Sequence, residues 1–222
     1  MNDHLIRLKF GYRFYLYLGI LGAILVGIGE YLLHFSPLGP VGEIEMLLNV
    51  PLARARVGHF FSIAGVPLYF AGYYGLLKLF RSGNEFYAKC LFIFGTLSFT
   101  VGGIWISSRY FCAVILQKMI NTANYDYFFT QYDENYQILV WFLRVLVALL
   151  SVFYVLSILK NNLNLPKWLA IFNPIVLLGL ILSTLLWLKP IGIHIAPIAM
   201  NMTHFIFFSL LLIFSKSSKP ID

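Results

Sequence analysis

Charge is scarce in this sequence. Of its 222 residues only 11% are Asp, Glu, Lys or Arg, whereas soluble domains carry about a quarter. With 60% hydrophobic residues as well, an ordinary soluble fold is excluded, and lipid is the expected solvent for most of the surface. Cysteine is nearly absent: Cys90 and Cys112 are the two present. Placed on one helix they stand 22 residues, or about 33 Å, apart, so they cannot bond to each other and read as buried apolar thiols.

The net charge of +7 does not point to nucleic acid. The 16 Lys and Arg residues are scattered in ones and twos between apolar runs, which is the distribution of a topology signal and not of a phosphate-binding face. Arg7, Lys9 and Arg13 precede an apolar stretch in the manner of a secretory signal. That stretch is too long for a signal-peptide core and has no small-x-small cleavage site, so it is expected to remain as a first helix.

Six apolar segments stand out: Phe14 to Leu33, Val57 to Phe80, Phe86 to Leu116, Gln137 to Leu159, Trp168 to Leu188 and Pro197 to Phe214. Each is long enough to cross about 30 Å of hydrocarbon. The expected fold is an all-α polytopic transmembrane bundle of about six spans, a single integral membrane domain over residues 1–222 with no room for a separate soluble domain. The third segment exceeds one crossing, so it tilts, projects or bends at Gly102 and Gly103.

Orientation follows from the basic residues. Arg7, Lys9, Arg13, Lys78, Arg81, Lys89, Lys160, Lys167, Lys216 and Lys219 would lie on one side. Arg54, Arg56, Arg109, Lys118 and Lys189 would lie on the other, diluted by Glu43, Glu45, Asp126, Asp133 and Glu134. This bias places both termini in the cytoplasm and the chain in the inner membrane. Arg81-Ser82-Gly83-Asn84 and Asn161 to Lys167 read as short inner links, the second ending beside Pro166. The outer connections are longer. Val41 to Asn49 suits a short amphipathic surface helix, and the Tyr- and Phe-rich Asn121 to Tyr136 suits an interfacial belt or a lid.

Polar residues inside spans need partners, and theirs is the informative pattern. Gly19, Ala23 and Gly27 form a stripe of small residues on the first helix, continued by Glu30 and His34 on the same face. The second helix opens with Arg54, Arg56 and His59, followed by Ser62, Tyr69 and Gly72. The third presents Ser98, Gly102, Trp105 and Arg109; the fourth carries Arg144; the sixth carries Asn201 and His204. All fall in the outer half of the membrane, so a polar pocket is expected there, lined by Glu30, His34, Arg56, His59, Arg109, Arg144, Asn201 and His204. A bare Glu30–Arg144 pair that only neutralises two charges is the structural alternative.

Three chemistries compete for such a pocket. Three Arg residues against one Glu suit a small polar, anionic or lipid-derived ligand that is bound or transported, with Glu30 and the His residues able to couple proton movement. Glu30, His34, His59 and His204 supply enough ligands for a metal-dependent intramembrane hydrolase acting on lipid, but without a diagnostic spacing. His59 and His204 are the one pair for an axial haem, and no second pair exists at the opposite leaflet. No catalytic residue, cofactor or oligomeric state is assigned by the sequence.

Gly29-Glu30-Tyr31-Leu32-Leu33-His34-Phe35-Ser36-Pro37, with Arg56-Val57-Gly58-His59 and Asn201-x-x-His204, resembles a family of uncharacterised bacterial multi-helix membrane proteins classed as a domain of unknown function. The resemblance implies that these are the family's motif positions, with Asp the commoner residue where Glu30 stands. It implies no activity.

Overall fold

The apolar runs fold as helices, and most of those helices outrun them. The computed structural model describes residues 11–36, 45–160, 163 and 165–215, and the regular structure among these is entirely helical. Helices α1 (Tyr12–His34), α2 (Leu52–Phe80), α3 (Glu85–Met119) and α4 (Tyr125–Lys160) have 23, 29, 35 and 36 residues. They are followed by α5 (Pro174–Trp187), α6 (Lys189–Ile195) and α7 (Ala199–Phe214). With Lys189–Phe214 taken as one run, five helices are long and apolar enough to cross a membrane.

The differences from expectation have local causes. Helix α3 runs unbroken through Gly102 and Gly103. Apart from its first four residues, the expected loop Asn121 to Tyr136 is the opening of α4, so its aromatic side chains belong to a helix. The segment Trp168 to Leu188 is divided: a 3-10 turn, Lys167–Phe172, is followed by α5 of 14 residues, about 21 Å. Asn173 and Pro174 set that break. The Asn173 side chain accepts from the Val176 N–H at 3.2 Å, and Pro174 occupies the first turn, where its missing N–H costs nothing. The expected loop ahead of the last span is helical too, as α6 and a 3-10 turn, Ala196–Ile198. Of the expected surface helix, Glu45–Leu48 forms one 3-10 turn and residues 41–44 lie outside the described residues, as do Arg7, Lys9, Glu43, Lys216 and Lys219.

Helices α1 and α2 form the tightest seam, made by glycines. A Cβ on Gly58 would stand 2.5 Å from the Gly29 carbonyl oxygen, and one on Gly65 would meet the backbone of Val26 and Gly22 at 3.0 and 3.1 Å. Gly19 sits against Gly72, while Gly27 faces Asn201 of α7, whose side chain an added Cβ would just touch at 3.4 Å. The stripe of small residues on α1 therefore serves two neighbours, with α7 at Gly27 and α2 at Gly19.

Both described chain ends lie at one end of the bundle, the basal end. Tyr12 Oη and Arg13 Nη1 donate to the Ser215 carbonyl at 3.1 and 3.0 Å, and Trp168 packs edge-on against Phe214. The turn joining α2 to α3 is here as well, with Asn84 capping α3 by accepting from the Tyr87 N–H at 3.0 Å. At the distal end, α3 and α4 continue past the other helices and enclose a small second core. Leu47, Cys112, Ala113 and Leu116 pack there with Phe128, Phe129 and Tyr132. Gln117 ties the segment before α2 to this extension by donating to the carbonyls of Leu47 and Val50 at 2.7 and 2.8 Å.

The seam sets a stability expectation. Gly58→Ala forces backbone atoms apart and is expected to cost about 1–3 kcal/mol or more. Gly179→Ala, whose added Cβ meets nothing within 4 Å, is expected to be neutral or mildly stabilising. Thermal unfolding of the two variants in detergent checks the contrast, and equal melting temperatures would count against the seam.

Candidate functional site

The last two turns of α1 carry the carboxyl group on which the site is built. Glu30 is buried, and its Oε2 accepts a short hydrogen bond from Asn201 Nδ2. The Asn201 Oδ1 accepts in turn from Tyr69 Oη at 2.7 Å, which fixes which end of the amide faces Glu30. One turn further along α2, Tyr73 Oη lies 2.7 Å from His204 Nε2. His204 Nδ1 lies 2.9 Å from the Met200 carbonyl, so Nδ1 carries the proton and Tyr73 donates to Nε2. His204 is enclosed by the edges and faces of Tyr69, Tyr73, Phe99, Phe207 and Phe208.

The cation at this depth is Arg109. Its guanidinium is 1% exposed and held between the rings of Trp105 and Tyr136, 5.2 and 5.1 Å from their centroids. Its charge acts on both Glu30 and His34. His34 bonds to the Glu30 carbonyl one turn below, and since its Nε2 has no partner, that bond is made by Nδ1. The His34 ring lies against Trp105, whose indole N–H is likewise buried without a hydrogen-bond partner.

A cavity of about 490 Å3 opens beneath this layer. Its walls come from α1, α3, α4, α5 and α7, with Val66 of α2, and are mostly apolar, with Phe99, Ile106, Leu143, Val147 and Leu178 among them. Its polar lining includes Glu30, Ser98, Arg144, Asn201 and His204. Ser98 is turned to the Phe94 carbonyl at 2.7 Å. At the lower edge α4 and α5 are joined where the Ile175 N–H donates to Ser151 Oγ at 3.2 Å; above that bond they face each other across the cavity. Asn201 also stands in the wall of a shallow apolar groove of about 340 Å3 between α1 and α7.

Of the eight residues expected to line one pocket, Glu30, Arg144, Asn201 and His204 line the cavity, and His34 and Arg109 form the layer at its distal end. Arg56 and His59 stand apart. Arg56 is exposed, donating to Tyr110 Oη at 3.2 Å, and His59 packs among Phe60, Tyr110 and Phe111. Glu30 and Arg144, whose bare pairing is the structural alternative, are not joined: Arg144 is exposed over the Trp141 ring, and the Glu30 carboxyl is bonded to Asn201. Tyr73 and Tyr136 belong to the site as well, beside His204 and Arg109. Tyr73 was findable, since it follows Tyr69 by one helical turn; Tyr136 was hidden by being assigned to a loop.

For the metal and haem readings the fit is poor. Among the described residues no three His, Cys, Asp or Glu side chains gather where one ion would touch them. His204 has both ring nitrogens committed, and His59 and His204 lie in different ring clusters instead of facing each other.

The chain matches a family of unknown function, DUF6796, over residues 1–218. It belongs to that family. No curated protein and no solved structure matches it.

Family membership names no activity, so the geometry must be tested directly. In a double-mutant cycle, Glu30→Gln and Arg109→Leu are each expected to cost about 1–3 kcal/mol, the scale for disturbing a buried polar group, and to recover at least about 0.5 kcal/mol when combined. Glu30→Gln with Arg144→Gln is expected to be additive. Recovery in the second pair and not the first, read from denaturation in detergent, would reverse the assignment.

Proposed function

We propose that this is an integral membrane protein that binds a lipid-derived amphiphile in the cavity beside Glu30, taking it from the leaflet at the distal end. The observation that carries this reading is the cavity itself. A mostly apolar hollow of about 490 Å3 with a few polar groups has the size and lining of a small-ligand pocket. Its place between α4 and α5 favours entry sideways from lipid. Transport of the same ligand is the extension of this reading and would need the ring cluster around His204 to open.

The membrane setting rests on the five long apolar helices and on the large apolar side chains that face outward, such as Phe60, Ile104, Leu180, Leu186 and Trp187. The 3-10 turn Lys167–Phe172 and α5 together rise roughly 33 Å, enough for a sixth crossing. An even number of crossings agrees with the meeting of Tyr12 and Arg13 with Ser215. The bias of basic residues then assigns the basal end to the cytoplasm and the protein to the inner membrane. Arg144 stands about 24 Å above Lys160, near the outer headgroups, where an exposed guanidinium beside Trp141 is at home.

Mass spectrometry of the organic extract of purified protein is expected to find one single-chain amphiphile near one equivalent. Leu178→Trp, which fills the cavity from α5, is expected to release it while leaving the protein folded. Wild-type protein without any such molecule, unchanged in melting temperature on adding long-chain amphiphiles, would sink the reading. A green fluorescent protein fused after Asp222 is expected to fluoresce if the basal end is cytoplasmic, and a dark fusion in well-expressed protein would reverse the orientation.

A further inference from the structure

Most of the polar groups in the cavity wall are already spent. Ser98 is turned to its own helix, Asn201 gives its oxygen to Tyr69 and an N–H to Glu30, and His204 has both nitrogens engaged. Glu30 uses one carboxyl oxygen on Asn201, and it lines the cavity. The second oxygen is therefore what the α1 and α7 side offers to an occupant. A hydroxyl or an amine can hydrogen-bond to it in either protonation state of the acid, whereas a carboxylate or phosphate would carry its charge into an apolar enclosure with little water to solvate it.

Building on the proposed cavity function, we propose that the buried polar end of the ligand is a hydrogen-bond donor, a hydroxyl or an amine, held by the free carboxyl oxygen of Glu30, with its chain leaving between α4 and α5. Glu30 is then the residue that sets specificity. Arg109 does not compete for the ligand's head, because it is held behind the cavity wall between Trp105 and Tyr136. Arg144 stands at the α4 wall, exposed and held over the Trp141 ring.

Trp105 lines the cavity and gives a direct readout once Trp141, Trp168 and Trp187 are changed to Phe. Full-length protein in detergent is titrated with 1-dodecanol, dodecylamine, sodium dodecanoate and dodecyl methyl ether, following Trp105 emission. Dodecanol and dodecylamine are expected to bind about tenfold or more tightly than dodecanoate and the ether, the difference made by one buried hydrogen bond. Glu30→Gln is expected to reduce the preference for dodecylamine over dodecanoate by at least tenfold, and Glu30→Asp to keep its direction. Dodecanoate or the ether binding as tightly as the donors in the starting protein overturns the proposal with no variant needed. A donor preference that survives Glu30→Gln overturns the role of Glu30. In both cases the cavity still binds amphiphiles; a starting protein whose Trp105 emission responds to none of the four probes overturns the cavity reading itself.

Discussion

Taking a carboxyl group out of water into an apolar bundle costs several kcal/mol unless neighbours replace the lost hydration, and Glu30 sits where nearly every neighbour answers to that cost. Arg109 supplies opposite charge, and Asn201 supplies a donor. Tyr69 fixes the amide of Asn201 so that its N–H end faces the acid. None of this is possible unless three helices meet closely. The glycine contacts between α1 and α2 set Tyr69 beside Gly22, from where its hydroxyl reaches Asn201. Gly27 lies against Asn201, at a distance where an added Cβ would make ordinary contact, 3.4 Å, with that side chain. The small residues of α1 thus carry the polar network as well as the packing.

How much of this could be read from the chain depended on what kind of signal recorded it. Helices α1 to α4 were visible because long apolar runs leave one solution in lipid. Their true ends were not: α3 and α4 extend beyond the apolar stretches because they pack on each other and on Leu47, a tertiary contact with no trace in hydropathy. The break at Asn173 was written locally, as a capping side chain before a proline, but the apolar run crosses it and masked it. For the site, depth along each helix selected Glu30, His34, Arg109, Asn201 and His204. Depth cannot tell which way a helix faces, and so it drew in Arg56 and His59, which stand apart from the cavity.

The same ambiguity explains why the aromatic residues mattered more than their number suggested. In a chain with this many Phe and Tyr residues, a ring that holds a charge looks in sequence like a ring that fills a gap. Trp105 and Tyr136 hold the guanidinium of Arg109 between them, and Tyr69 and Tyr73 orient Asn201 and His204 through their hydroxyls. Each combines an apolar body with one polar contact, which allows a polar layer to be built inside a bundle without water.

The two halves of the bundle then differ in what they allow. Basal to Glu30 the axis is closed by packed rings, from Tyr69 stacked on Phe99 through His204 and Phe208 to Tyr154, which meets Phe207 and Phe80 edge-on. Distal to it, Arg109 and its rings close the top. Interiors are packed to near-crystalline density, and the α1–α2 seam shows that this chain can pack to backbone contact. A cavity of about 490 Å3 left between these closures, bordered by α5 of only 14 residues, is therefore a feature of the fold and not a failure of packing. With the axis blocked above and below, Glu30 is reached from the side, where α4 and α5 face each other across the cavity.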